Sequence, residues 1–148
     1  GMLLGGVSGV PAARVVIIGG GMVGTNAARV AMGVEAHVTV LDKSIHRLQQ
    51  LDLQYSSRIN TVFSTVDALE EYVATADLVI GAVLVPGAAA PKLVSRELVS
   101  RMSRGAVLVD DRERPVSSGR PRVSVAVEAA ASIADEFVSV AFGTSTLA

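Results

Sequence analysis

The chain has 148 residues, of which 50% are hydrophobic and 18% charged, and its formal net charge is −1. This length suits a single domain with ample material for a hydrophobic core. The absence of cysteine excludes disulfides, thiolate nucleophiles and thiolate metal sites. The near-neutral charge and the aromatic content of 3% argue against nucleic-acid binding, which usually needs a basic face and stacking rings.

The longest uncharged stretches are interrupted by glycine and proline, and they are too short for a membrane-spanning helix. The first residues show no secretion signal. We therefore predict a soluble cytoplasmic protein with no membrane partner. The two histidines, His37 and His46, are not spaced as metal ligands, so we expect both at the surface and no metal site.

Residues 1–13 are rich in glycine and are predicted to form a connecting segment. Val15 to Ile18 are four consecutive β-branched residues, a pattern typical of a parallel strand that is buried on both faces. The run continues directly into a G-x-G-x-x-G motif at Gly19 to Gly24 and then into a helix-compatible stretch from Thr25 to Met32 that ends at Gly33. The order strand, glycine turn, helix indicates a dinucleotide-binding βαβ unit.

Each glycine of the motif has a predicted role. Gly19 allows the tight turn, Gly21 lets the backbone approach a pyrophosphate, and Gly24 lets the helix pack closely on the strand. The phosphates would lie at the free N–H groups and the positive dipole end of the helix. The alternative is that the motif is only a tight connection between a strand and a helix.

A second strand, 36–41, leads to Asp42, which lies 18 residues after Gly24. This is close to the spacing of about 20 residues at which an acid binds the adenosine ribose. Asp42 favours NAD over NADP, because a carboxylate about 4 Å from a 2′-phosphate costs about 1 to 4 kcal/mol per unit charge. The alternative is a solvated aspartate at the end of a strand.

The rest of the chain continues the alternation of strands and helices as far as Asp110. Predicted strands cover 58–63, 77–83 and 106–109, and predicted helices begin after Ser44, at Ser64 or Thr65, and at Ser95. The apolar sides of the first two of these helices are assigned to Ile45, Leu48, Leu51 and Tyr55, and to Val66, Leu69 and Val73. With right-handed crossovers, the prediction is a three-layer α/β Rossmann fold with a doubly wound, mostly parallel sheet in the order 3-2-1-4-5.

Residues 111–148 break this pattern. A charged, turn-rich loop at 112–122 is followed by a possible sixth strand at 123–127, a helix at 128–136 and a strand at 137–142. We therefore divide the chain into the connecting segment, a Rossmann domain at 14–110 and a divergent tail.

From Leu3 to Asp110 the sequence resembles the NAD-binding domain of bacterial alanine dehydrogenases and, less closely, the transhydrogenase α-subunit. The resemblance rests on LLGGVSGV, VVIIGGGMVGTNAAR, VTVLDKS, ADLVIGAVLVPGAAAPKLVS and GAVLVD. It implies an NAD(H) cofactor, a homo-oligomer, and a full enzyme that oxidises L-alanine to pyruvate and ammonia. The implied cofactor contacts are Gly19, Gly21, Met22, Val23 and Gly24 at the pyrophosphate, Asp42 at the ribose, Arg47 and Ser64 near the adenosine, and Val83, Leu84 and Leu93 along the remainder. For the last three, ordinary packing is the alternative.

The sequence also departs from this family. Where the family carries its catalytic aspartate in an Ile-Asp-Gln-Gly-Gly context, this chain reads DDRERP from Asp110 to Pro115, and alanines at 88–90 replace a usual lysine. The second domain, which holds the substrate-binding residues of the family, has no counterpart here. We therefore assign no catalytic residue and expect this chain alone to bind NAD without turnover.

Three alternatives stay open. The loss of resemblance after Asp110 suggests a truncated or frame-shifted reading of a GC-rich coding sequence, although a genuine alternative ending would look the same. The chain could instead be a non-catalytic regulatory module, like the NAD-binding domains that gate potassium uptake, but those lack the apolar loop VLVPGAAAPKLVS. It could also be a non-functional fragment.

Overall fold

The computed structural model describes residues 2–83 and 93–110, and within these ranges five strands alternate with four α-helices, with a 3-10 helix at Ser56–Arg58 before the third strand. The elements are β1 (Arg14–Ile18), α1 (Met22–Gly33), β2 (His37–Asp42), α2 (Ile45–Tyr55), β3 (Ile59–Phe63), α3 (Val66–Thr75), β4 (Leu78–Gly81), α4 (Arg96–Arg101) and β5 (Val107–Asp110). Residues 84–92, which are part of the apolar loop VLVPGAAAPKLVS, and the whole predicted tail lie outside the described residues.

The five strands form one parallel sheet in the order β3-β2-β1-β4-β5, which confirms the predicted topology. In this order β2 and β3 lie on one side of β1, and β4 and β5 lie on the other. Ile18, the last residue of β1, pairs with Leu41 of β2 and with Gly81 of β4. The strand order therefore reverses between β1 and β4, and open α/β sheets bind their ligands beyond the carboxyl ends of the strands at such a point.

Two hydrophobic cores flank the sheet, and β1 contributes to both of them. Val15 and Ile17 join the core beneath α1 and α2, whereas Val16 and Ile18 join the core beneath α3 and α4. All four side chains are buried, as the run of apolar residues predicted. Because successive side chains of a strand point to opposite faces, and helices cover both faces of the sheet, Val15 to Ile18 leave no position for a polar residue.

The helix positions explain where the sequence pattern was right and where it was wrong. The predicted apolar positions Leu48, Leu51, Leu69 and Val73 are all buried. Ile45 and Val66, which were assigned to the same apolar faces, are 54% and 74% exposed. Each is the first residue of its helix and lies at the carboxyl edge of the sheet, where the strands end and no longer cover it.

The described part of the connecting segment, residues 2–13, contains no element of the main sheet. Val7 and Val10 form an isolated antiparallel bridge, and the Ala13 N–H donates a hydrogen bond of 2.9 Å to the Leu4 carbonyl. His37 and His46 are both exposed, as predicted. No helix in residues 2–83 or 93–110 has the length and apolar character needed to cross a membrane.

The contact between Gly24 of α1 and the preceding turn leaves no room for a side chain. A Cβ at Gly24 would lie 1.8 Å from the carbonyl oxygen of Gly19. We expect Gly24→Ala to lower the free energy of unfolding by about 2 to 3 kcal/mol, because the backbone of the turn would have to move. For a domain of this size the melting temperature should fall by roughly 10 °C or more.

Gly33→Ala is the matched control, because Gly33 ends the same helix and a Cβ there would meet nothing within 4 Å. We expect it to leave stability unchanged or to raise it by up to about 1 kcal/mol. Thermal unfolding followed by circular dichroism measures both changes. Equal melting temperatures for the two variants would contradict the close packing of α1 on the turn.

Candidate functional site

The turn after β1 is confined between the ends of β2 and β4. The Gly19 N–H donates a 2.7 Å hydrogen bond to the Leu41 carbonyl, and Gly19 has a φ of +102°. A Cβ at Gly19 would lie 2.7 Å from the carbonyl oxygen of Ala82. Both the backbone conformation and the lack of space therefore require glycine, as the predicted tight turn demands.

Gly21 differs from the other two glycines of the motif. Its φ is −66°, which any residue adopts, and a Cβ there would meet nothing within 4 Å. Nothing in the described part of the chain therefore requires a glycine at this position. The space in front of Gly21 is open, which is the condition for a ligand to approach the backbone closely.

Helix α1 begins immediately after Gly21, three residues earlier than the sequence pattern suggested. Within the described ranges no side chain caps this end, and the first turn contains no acidic residue. Met22 and Val23 are 83% and 45% exposed. The first N–H groups of a helix have no partner inside the helix, and its dipole is positive at this end, so the start of α1 is suited to an anion.

Asp42 ends β2 beside the glycine turn. One carboxylate oxygen, Oδ2, accepts a 2.7 Å hydrogen bond from the Gly20 N–H, and the other, Oδ1, accepts a 2.7 Å bond from the Ser44 N–H. A carboxylate has about four acceptor positions, so two bonds leave acceptor capacity for further donors. The two backbone bonds hold the carboxylate in place at the carboxyl edge of the sheet.

Arg47 of α2 lies on the other side of the same turn. Its Nε donates to the Gly20 carbonyl at 2.5 Å, and its Nη2 donates to Thr25 Oγ1 at 2.6 Å. Its Nη1 donates to Gln50 Oε1 at 2.9 Å. Gly20 is thus held through its N–H by Asp42 and through its carbonyl by Arg47. Sequence reasoning missed the roles of Gly20 and Thr25, since no spacing rule links them to a residue of α2.

The other predicted cofactor contacts follow β3 and β4, and they differ in how close they lie to the glycine turn. Ser64 follows β3, and its N–H donates a 3.0 Å bond to the Asp42 carbonyl, which places it at the same edge of the sheet. Val83 adjoins Gly19 beyond β4. Val83 and Leu93 both pack against the core beneath α3 and α4, so their side chains already have a structural role. Leu84 lies outside the described residues.

A separate apolar groove of about 550 Å³ runs along α1. Its lining includes Leu4, Val30 and Ile80, and it reaches the glycine motif only at Val23. Among the described residues the lining has no charged side chain, and its polar side chain, Asn26, donates to the Met22 carbonyl of the same helix. The polar groups that suit an anionic ligand converge instead at the glycine turn.

Comparison with known proteins agrees with this arrangement. Residues 1–111 match the family model described as "Alanine dehydrogenase/PNT, C-terminal domain". The chain belongs to this family. Its alanine dehydrogenase relative from Halomonas elongata is 66% identical over 110 residues, which are 74% of this chain and 30% of the relative.

Solved structures of the family have the same architecture. An L-alanine dehydrogenase superposes with a TM-score of 0.73 at 50% identity, over 74% of this chain and 30% of the other. The transhydrogenase from Sinorhizobium meliloti gives a TM-score of 0.61 at 31% identity, over 68% of this chain and 29% of the other. The chain therefore spans about 30% of the length of the curated relative it matches.

The two backbone bonds of Asp42 predict a structural cost when its charge is removed. We expect Asp42→Asn to lower the free energy of unfolding by about 1 to 2 kcal/mol without any ligand, because one hydrogen bond to a charged acceptor is lost and the other is weakened. Urea unfolding measures this difference.

Asp52→Asn is the control, since Asp52 is an exposed residue of α2 and its replacement removes the same charge. We expect this variant to stay within about 0.5 kcal/mol of the parent chain. If the two variants unfolded at the same urea concentration, the Asp42 carboxylate would not be holding the turn.

Proposed function

We propose that this chain is the NAD(H)-binding domain of an alanine dehydrogenase-like oxidoreductase. One observation supports this above the others: the open Gly21 and the uncapped start of α1 lie beside a carboxylate that is fixed at the end of the neighbouring strand. Gly21 and the start of α1 suit a pyrophosphate, and the carboxylate suits the hydroxyls of a ribose. The residues present therefore fit a dinucleotide.

In this proposal each part of the site binds a different part of NAD. The motif from Gly19 to Gly24, with Met22 and Val23 at the helix start, holds the pyrophosphate, and Asp42 accepts hydrogen bonds from the adenosine ribose. The other proposed contacts are Ser64 near the adenosine, and Val83, Leu84 and Leu93 along the remainder. Arg47, which the family resemblance places near the adenosine, lies beside the glycine turn and belongs to the same binding site. NAD, when bound, supplies hydride transfer, and the protein supplies binding and orientation.

The activity of the complete protein is a further part of the proposal. The relative that carries the name alanine dehydrogenase is much longer than this chain, which covers 30% of it. We assign substrate binding and proton transfer to parts of the full-length relatives outside the 110 residues that match this chain. The chain alone would then bind NAD without oxidising L-alanine, and it would act in the cytoplasm as part of a homo-oligomer.

Gly21→Ala separates ligand binding from folding. Because a Cβ at this position meets no atom of the described residues within 4 Å, we expect a loss of stability below about 1 kcal/mol. The methyl group would occupy the space where the pyrophosphate approaches, so NAD affinity should fall by about tenfold or more. Isothermal titration calorimetry and a thermal melt measure the two effects.

Gly33→Ala, at the opposite end of α1 from Gly21, serves again as the control and should keep the affinity of the parent chain. In the parent chain, NAD at about 100 times its dissociation constant should stabilise the fold by roughly 2.7 kcal/mol. A folded parent chain that gains no stability from NAD would overturn the proposed function.

Asp42→Ala tests the choice of cofactor. The parent chain should bind NAD roughly ten- to thousand-fold more tightly than NADP, because the carboxylate repels a 2′-phosphate. The variant should bind NAD more weakly, because the acceptor for the ribose hydroxyls is lost. It should also discriminate less between NAD and NADP, because the repulsion of the 2′-phosphate is lost. Titrations with both dinucleotides measure the ratio, with Asp52→Ala as the matched change of charge. An unchanged ratio would show that Asp42 does not face the ribose.

A further inference from the structure

The peptide between Gly20 and Gly21 is held in one orientation by α2. The Gly20 carbonyl, which is part of this peptide, accepts a hydrogen bond from Arg47 Nε. The Gly20 N–H is part of the preceding peptide and donates to Asp42 Oδ2, which fixes the other side of Gly20. The described peptide bonds are all trans, and in a trans peptide the C=O and the N–H point in opposite directions. With the Gly20 carbonyl turned towards Arg47, the Gly21 N–H is turned away from it.

Arg47 is well suited to fix this peptide. Three of its nitrogens donate to protein acceptors, namely the Gly20 carbonyl, Thr25 Oγ1 and Gln50 Oε1. Thr25 Oγ1 in turn lies 2.7 Å from the Gly21 carbonyl, to which its hydroxyl donates. Arg47 therefore links α2 to the turn and to the first turn of α1. The planar guanidinium reaches two acceptors at once, which the single ammonium of lysine does less well.

We propose that Arg47, together with Thr25, is a positioning residue for the pyrophosphate of the dinucleotide. It acts through the Gly20–Gly21 peptide, whose orientation presents the Gly21 N–H to the ligand, while three of its five N–H donors are engaged by acceptors within the protein. This inference rests on the proposed function and adds a mechanism to it. A direct contact between Arg47 and the adenosine is the competing role.

Ligand fragments distinguish the two roles. ADP contains both adenosine and a pyrophosphate, whereas adenosine has no phosphate. We expect Arg47→Lys, which keeps the charge but loses the planar fork, to weaken the binding of ADP and NAD by about tenfold. Adenosine binding, measured by NMR titration, should change by less than about twofold. Equal losses for adenosine and ADP would overturn the proposal in favour of a direct contact.

Thr25→Val removes the second acceptor without any change of charge, so it excludes a simple loss of electrostatic attraction. This variant should also weaken the binding of ADP while leaving the binding of adenosine nearly unchanged. Thr25→Ser keeps a hydroxyl at this position and should bind ADP within about twofold of the parent chain. The double variant Arg47→Lys, Thr25→Val should lose less than the product of the two single losses, because both disrupt one network. If the loss of ADP affinity in the double variant equalled the product of the two single losses, Arg47 and Thr25 would not act through one network.

A measurement without ligand completes the test. In proton–nitrogen NMR spectra of the free chain, both Arg47→Lys and Thr25→Val should shift the amide resonances of Gly20 and Gly21. Arg29→Gln, which alters an exposed residue of α1, should leave both the resonances and ADP affinity unchanged. Unshifted glycine resonances in the first two variants would refute the proposal.

The result for the parent chain separates this inference from the proposed function. If the parent chain binds neither ADP nor NAD, the proposed function fails and the inference fails with it. If the parent chain binds both and Arg47→Lys binds ADP as tightly, only the positioning role is refuted. Should Arg47→Lys fail to fold, the comparison of Thr25→Val with Thr25→Ser decides the question.

Discussion

The arrangement of this site depends on how closely α1 approaches the end of β1. The chain must leave the central strand between β2 and β4 and enter a helix at once. A Cβ at Gly24 would lie 1.8 Å from the Gly19 carbonyl oxygen, and Gly19 itself has a positive φ. Any side chain at these positions would push the helix outward. The start of α1 would then move away from the carboxyl edge where Asp42 lies.

Two charged side chains of opposite sign stabilise the turn that this packing creates. Asp42 accepts from the Gly20 N–H and Arg47 donates to the Gly20 carbonyl, so each polar group of this residue has a charged partner. Hydrogen bonds to charged groups are roughly twice as strong as neutral ones. Without these two partners the three consecutive glycines of the turn would be mobile, because glycine loses more conformational freedom on folding than any other residue.

Asp42 consequently serves two purposes that are hard to separate by mutation. Its carboxylate holds the turn and also offers free acceptor positions at the edge of the sheet. Removing it changes the binding surface as well as the group that would contact a ribose. Gly21 is the better probe of ligand binding alone, since it has neither a strained backbone nor a close neighbour in the described residues.

The sequence by itself determined the order of the elements, the buried central strand, the turn and the acid at the end of β2. These follow from local rules, because a run of β-branched residues, a glycine spacing and a strand-end aspartate each act within a few residues. It failed at Ile45 and Val66, since helical periodicity does not reveal where the sheet beneath a helix ends. Only the tertiary structure brought Arg47 to Gly20 and Thr25, which are 27 and 22 residues away along the chain. Contacts of that kind depend on how two helices pack on one sheet, and no spacing in the sequence encodes that packing.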